Sequence, residues 1–407
     1  MSDAITFPQG FFWGAATAAH QTEGNNVSSD WWGFEHAADT FVLEPSGDAC
    51  DSFHRYRDDI ALLAASGLDT YRFSIEWARI EPEPGAFSHA AIDHYRRMVQ
   101  TCRDSGVRPV VTLHHFTNPR WMARDGGWRH PEAVQRFARF TEAALPVLED
   151  VEWVVTFNEP NLLVWGLGDV AEGAASGPEV GDRWRKGPDR QVAGVLAEAH
   201  RASREVLSTL RGVRSGWTVA TQAYEAAPGA EDVVREWAEW RETFFLDTAR
   251  GDDFLGVQAY TRNVIGPDGM LPVPEGVETT LTGWEYFPPA LGIGVRHAWE
   301  RSGGTPIMVT ENGIATADDS RRIDYTRDAL AGLAAAMDDG VEVLGYLHWS
   351  LLDNYEWGRY APTFGLVSVD RTTFRRTPKP SLAWLGEVAT SRSLPAADTR
   401  APAPSAG

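Results

Sequence analysis

Short apolar runs alternate with longer segments of three- and four-residue periodicity along nearly the whole 407-residue chain. Repeated βα units around a parallel sheet produce this pattern. Eight runs read as strands: Phe12 to Ala19, Thr70 to Trp77, Pro109 to Phe116, Trp153 to Asn158, Trp217 to Ala223, Phe254 to Tyr260, Ile307 to Thr310 and Val343 to Trp349. Between them, amphipathic stretches such as Asp51 to Ala65, Ala90 to Asp104, Pro131 to Leu148, Gln191 to Leu210, Ala230 to Ala249 and Tyr325 to Met337 predict helices. Glycines near their ends, as at Gly67, Gly106, Gly212, Gly251 and Gly340, fit helix termination. Eight strands with intervening helices predict a closed (β/α)8 TIM barrel. The alternative, an open doubly wound sheet, usually carries a glycine-rich phosphate loop after its first strand, and this chain has none.

No Pro/Ser-rich linker interrupts the pattern, so residues 1–390 are expected to form one α/β barrel domain, followed by a frayed tail at 391–407. Two insertions, Gly166 to Arg190 after the fourth strand and Arg262 to Pro289 after the sixth, would rim the mouth at the carboxyl ends of the strands.

Composition narrows the function. With 43% hydrophobic and 23% charged residues the chain can bury a large core. A formal charge of -20 repels phosphate backbones and anionic lipids, and Arg375 and Arg376 are too few to make a basic patch, so neither nucleic acid nor a membrane is an expected partner. No apolar run approaches the roughly 20 residues of a membrane span. The apolar stretch from Phe11 to Ala19 lacks a cationic flank, follows Asp3 and runs into His20-Gln21-Thr22-Glu23, so it reads as a buried strand rather than a signal segment. Cys50 and Cys102 offer no metal-ligand spacing and suit a reducing, cytoplasmic compartment. Seventeen tryptophans suggest stacking on sugar faces, although a large barrel also buries many aromatics.

Barrel enzymes carry catalytic groups at the carboxyl ends of strands. There the fourth strand ends in Thr156-Phe157-Asn158-Glu159-Pro160 and the seventh in Val309-Thr310-Glu311-Asn312-Gly313. Facing carboxyl groups roughly 5 to 5.5 Å apart would suit a retaining glycosidase, one attacking the anomeric carbon and one protonating the leaving oxygen. Proline at 160 is expected to hold Glu159 in extended backbone. Asn158 offers an amide to a sugar 2-hydroxyl. An inward Arg72 is expected to keep Glu311 ionised, while burial beside a second carboxylate keeps Glu159 protonated. His114 and His115 invite a metal site, but adjacent strand residues point to opposite faces, so no metal and no cofactor is expected.

At these residues the chain resembles glycoside hydrolase family one, the β-glucosidase family, from about Phe7 to Gly386. TFNEP at 156 and TENG at 310 are similar to that family's acid/base and nucleophile motifs. Further matches are Phe11 to Ala18 running into Gln21 and Glu23, Tyr71-Arg72-Phe73-Ser74-Ile75, and Trp349 to Trp357. The resemblance implies Glu159 as acid/base and Glu311 as nucleophile. It implies Gln21, His115, Asn158, Glu356 and Trp357 on the sugar hydroxyls, Trp349 as a stacking floor, Tyr260 beside the nucleophile and Phe364 as an apolar contact. Phe116, where the family usually has tryptophan, and Gln258, where asparagine is usual, depart from the pattern and leave the glycone open.

The implied activity is hydrolysis of a terminal non-reducing β-D-glucosyl or related residue from a small β-glycoside. Disaccharide-specific and transglycosylating enzymes share its covalent intermediate. A phospho-β-glycosidase is a rival that Glu356 opposes by charge, with Arg359 nearby in its favour; a non-catalytic sugar-binding protein would be expected to lack one carboxylate. Trp165, Trp184 and Trp284 suggest an apolar or extended aglycone as readily as surface packing. The sequence carries no signal for an oligomeric state.

Overall fold

The computed structural model describes residues 5–38, 40–165 and 187–394. Eight parallel strands close into a barrel: β1 (Phe12–Ala16), β2 (Thr70–Ser74), β3 (Arg108–His114), β4 (Trp153–Asn158), β5 (Arg214–Thr221), β6 (Leu255–Ala259), β7 (Ile307–Glu311) and β8 (Val343–Trp349), with β8 pairing back onto β1. Nearly every strand residue is buried, because one side faces the barrel axis and the other the surrounding helices. Those helices include α1 (Ser52–Ala65), α2 (His89–Asp104), α3 (Ala133–Leu148), α4 (Arg190–Leu207), α5 (Glu231–Ala238), α6 (Ala290–Arg301), α7 (Asp319–Asp338) and α8 (Pro380–Ser391). Among the described residues, no helix is long and apolar enough to cross a membrane.

The barrel interior has two storeys. Val110, Trp153, Val155, Phe254, Met308 and Leu347, with Phe12 against them, form an apolar plug. Further towards the carboxyl ends of the strands, Arg72, Thr112, Asn158, Gln258 and Glu311 replace it with polar groups, all buried. Burying so many polar groups is tolerable only where they satisfy one another, so this second storey is where an arrangement for function is to be sought.

Several expected runs end early. Ala19 and Trp77 each open a short helix (Ala19–Thr22 and Trp77–Ile80) instead of ending a strand. Trp77 is apolar because it stacks on Phe140 and meets Phe137, Trp121 and Trp128 outside the barrel. The expected helix Ala230 to Ala249 is α5 followed by a π-helical segment, Glu239–Thr243, and a last turn, Phe244–Thr248. The wider turn brings Arg241, Glu242 and Thr243 inward together, and Glu242 accepts a bond from the Gln222 backbone N at 2.9 Å.

Helices α6 and α8 were not among the amphipathic stretches singled out. Helix α6 buries Leu291, Val295 and Ala298 together with Gly292 and Gly294, and a Cβ on Gly292 would meet the Gly332 carbonyl of α7 at 2.7 Å, so the two helices approach closely there. Ser391, expected to open a frayed tail, is the last residue of α8, and Ser393–Leu394 pairs antiparallel with Ile5–Thr6, a backbone contact that periodicity does not reveal. Residues 395–407, and 166–186 of the first insertion, lie outside the described residues. In the second insertion Val264–Gly266 pairs with Gly269–Met270 and with Glu225–Ala226.

Just beyond β2, Glu76 is almost fully buried and accepts from the Thr117 hydroxyl at 2.9 Å and the Ala78 backbone N at 3.1 Å. Burial nonetheless pushes its carboxyl up to about 8. A carboxyl raised on folding binds more protons than in the unfolded chain, so its contribution to stability is present in acid and is lost as pH rises through the folded value. The slope approaches ~1.4 kcal/mol per pH unit. Glu76→Gln, close in shape to the protonated acid, is expected to match the wild type below about pH 4.5 and to melt progressively higher than it as pH rises to about 8. Equal losses of melting temperature in both proteins over that interval would contradict the burial argument.

Candidate active site

The two glutamates stand at the carboxyl ends of β4 and β7, and each strand slips register just before its glutamate. The β4–β5 pairing shifts between Val155 and Asn158, and the β7–β6 pairing between Val309 and Glu311. Such irregularities re-aim the side chains that follow them. Glu159 is not extended as Pro160 led one to expect. Its φ of 43° and ψ of 57° lie in the left-handed region. Proline disfavours the right-handed region for its predecessor but leaves this one open, and here the chain must turn at once into the helix Pro160–Leu163, with Pro160 in its first turn. The Glu159 backbone N donates to the Thr218 carbonyl at 3.0 Å, tying the turn to β5.

Arg72, fully buried on β2, ties the site together. Its guanidinium donates to Glu311 Oε1 at 2.6 Å, to Asn158 Oδ1, and to Thr112 Oγ1 at 3.0 Å. Tyr260 donates its hydroxyl to Glu311 Oε2 at 2.6 Å. Gln258 Nε2 lies 2.7 Å from Glu311 Oε1 and 2.8 Å from Asn158 Oδ1. Thr218 Oγ1 adds a third donor to Asn158 Oδ1 at 3.2 Å, which leaves the Asn158 Nδ2 group facing His115, 3.3 Å from its Nε2.

The two carboxyl groups are thus unequally served. Glu311 accepts three hydrogen bonds, whereas the carboxyl of Glu159 has no hydrogen bond or ion pair among the described residues. Burial first, and the charge of Glu311 second, hold Glu159 well above the usual carboxylate range. Burial also raises Glu311, but Arg72 and the Tyr260 hydroxyl oppose it. A single proton shared between them therefore resides on Glu159.

The remaining expected residues gather beside this pair. Trp349 Nε1 donates to Glu356 Oε1 at 3.2 Å, and Gln21 Nε2 reaches Glu356 Oε2 at 3.4 Å while anchored on the Tyr355 carbonyl at 2.8 Å. The His115 ring lies nearly parallel to both Trp349 and Trp357, with centroids at 5.9 and 6.2 Å. Phe364 meets the edge of Tyr260 at 5.9 Å. Gln21 Oε1, His115 Nδ1 and Gln258 Oε1 are buried without a hydrogen-bond partner among the described residues. Such atoms, grouped with aromatic faces, suit a neutral, hydroxyl-rich molecule. His114 instead bonds Asn118 and packs against Trp128 and Phe157, on the side away from His115.

Sequence reasoning missed Thr112 and Thr218; nothing distinguishes them from ordinary strand threonines until the barrel register sets them against Arg72 and Asn158. Of the three tryptophans considered for an aglycone, Trp284 stands half exposed beside Tyr260 and Phe364, Trp165 packs on Arg241, and Trp184 is outside the described residues.

Comparison with known proteins agrees with the fold. The model of "Glycosyl hydrolase family 1" matches residues 3–249 and 257–394. Thermostable beta-glucosidase B of Thermobispora bispora is 31% identical, covering 96% of this chain and 92% of its own. The crystal structure of beta-glycosidase BGL167 superposes with a TM-score of 0.87 at 44% identity, covering 98% of this chain and 100% of that one. The Thermotoga maritima beta-glucosidase in complex with deoxynojirimycin gives 0.85 at 27% identity, covering 96% and 100%. With two acidic side chains at opposed strand ends and a family match over nearly its whole length, the chain belongs to glycosyl hydrolase family 1 and is a β-glucosidase-like glycoside hydrolase.

Proposed function

We propose that this protein is a retaining β-glycosidase that removes a terminal non-reducing β-D-glucosyl residue from a small β-glycoside, with Glu311 as nucleophile and Glu159 as general acid/base. The observation that carries this reading is the unequal hydrogen bonding of the two carboxyl groups. Glu311, charged and held by Arg72, Gln258 and Tyr260, attacks the anomeric carbon. Glu159 delivers its proton to the departing glycosidic oxygen, and the C–O bond to the aglycone breaks. Water then enters, Glu159 takes its proton, and the oxygen of that water displaces Glu311 from the sugar with a second inversion. Gln21, His115, Asn158 and Glu356 grip the hydroxyls, Trp349 forms the floor, and Trp357 and Phe364 close the sides.

A phosphorylated sugar fits poorly. Glu356 occupies the pocket beside Trp349, and Lys379 is engaged with Asp353 at 2.7 Å. Trp284 at the rim favours an aromatic or extended aglycone. Buried thiols at Cys50 and Cys102, both pushed up to about 12 by burial, fit a cytoplasmic location.

Trapping with a 2-deoxy-2-fluoro-β-glucoside tests the reading. The expected result is one label per chain, mapped to Glu311, and a β-configured first product by NMR. An unlabelled Glu311 in an active preparation, or an inverted product, would overturn it; faster cleavage of a 6-phosphoglucoside than of the plain glucoside would reassign the sugar pocket.

A further inference from the structure

We infer that Gln258 is a positioning residue for this reaction, its single side-chain amide setting both the carboxylate of Glu311 and the orientation of Asn158. The inference rests on the proposed role of Glu311 and adds a residue to that site.

The two hydrogens of Gln258 Nε2 have two fixed acceptors, Glu311 Oε1 at 2.7 Å and Asn158 Oδ1 at 2.8 Å. Turning the amide over would set its oxygen against both, so only one orientation is tolerable. In that orientation Gln258 Oε1 is buried and has no partner among the described residues, a cost that the two donated bonds must offset. One of these is charge-assisted, and such bonds are stronger than neutral ones.

Strand order explains the length of the side chain. Gln258 pairs with Glu311 across β6 and β7, and with Ala220 of β5 on its other side. Asn158 lies one strand further, on β4, so the amide has to reach past β5 to touch it. Asparagine would withdraw the donor by one carbon–carbon bond, about 1.5 Å.

Asn158 Oδ1 takes three donors, from Arg72, Thr218 and Gln258. They turn Asn158 Nδ2 towards His115, where a sugar 2-hydroxyl would meet it. Gln258 therefore acts on the reaction twice, once through the attacking carboxylate and once through the grip on the sugar.

The test uses Gln258→Leu and Gln258→Asn in the full chain, compared with the wild type on an activated aryl β-glucoside, whose leaving group makes little demand on Glu159. Losing a donor to an ionised carboxylate favours its protonated form, so the acid limb of the kcat/KM profile is expected to move to higher pH by about one unit. Inactivation by the 2-fluoro glucoside should slow about tenfold. The preference for the glucoside over its 2-deoxy analogue should shrink, which a merely structural defect would not cause. If the leucine variant does not fold, the asparagine variant, which stays polar and smaller, carries the measurement alone. An unshifted acid limb in a folded variant overturns the inference, and an unchanged 2-deoxy preference overturns the part that concerns Asn158. Label mapping in the wild type stands apart: absence of the adduct on Glu311 would sink the proposed function whatever the Gln258 variants do.

Discussion

Glu311→Ala is expected to lower kcat by roughly 10^4- to 10^6-fold on every β-glucoside, whatever its leaving group, because no other group can form the covalent intermediate. The neighbours make this loss specific. Arg72, Gln258 and Tyr260 all converge on the same carboxylate, so its removal leaves a cationic, donor-rich hollow where a small anion can settle. Azide or formate should therefore restore part of the turnover on an activated substrate. With azide the product should be the α-glycosyl azide, since a single displacement inverts the configuration. Burst kinetics and product NMR check this. A variant retaining more than about a hundredth of wild-type kcat would point to a different nucleophile.

Glu159→Gln should behave differently. Proton donation by a positioned acid contributes about 10^2- to 10^4-fold. The full loss is expected for alkyl glucosides and disaccharides, and little for a dinitrophenyl leaving group in the bond-breaking step. The pH profile supplies a second check. Glu159 must carry its proton in the free enzyme, and burial together with the charge of Glu311 raises its carboxyl well above the ordinary range. Activity of the wild type therefore falls as pH rises through that raised value, and the glutamine variant should lose this alkaline limb while keeping the acid one set by Glu311. Equal losses across leaving groups, or an alkaline limb that survives, would remove Glu159 from the role of acid.

The positions of both glutamates were legible because each follows a run of apolar and β-branched residues that could only be a barrel strand. What the runs could not convey was backbone detail. The register slips ahead of Glu159 and Glu311, and the left-handed turn at Glu159, arise from pairing between strands far apart in the chain. Arg72 was read as an inward strand residue, Tyr260 and the pocket residues from Gln21 to Phe364 were reached through motif similarity, and the structure brings them to one place. Thr112 and Thr218 had no signal because a strand threonine looks alike whether it faces a guanidinium or a carbonyl.

The guanidinium of Arg72, shut inside the barrel, has one more implication. Before reaction its positive charge is balanced by Glu311 while Glu159 is neutral. On the proposed mechanism, once Glu311 has become an ester, Glu159 has given up its proton, and the negative charge has moved from one side chain to the other without changing in amount. A buried cation paired with Glu311 makes any other sequence of events unfavourable, so bond cleavage without proton delivery would strand two opposite ions, and proton delivery without cleavage would crowd two like ones. The electroneutrality of that inner layer thereby couples the two half-reactions, and the same coupling returns the proton to Glu159 when water completes the turnover.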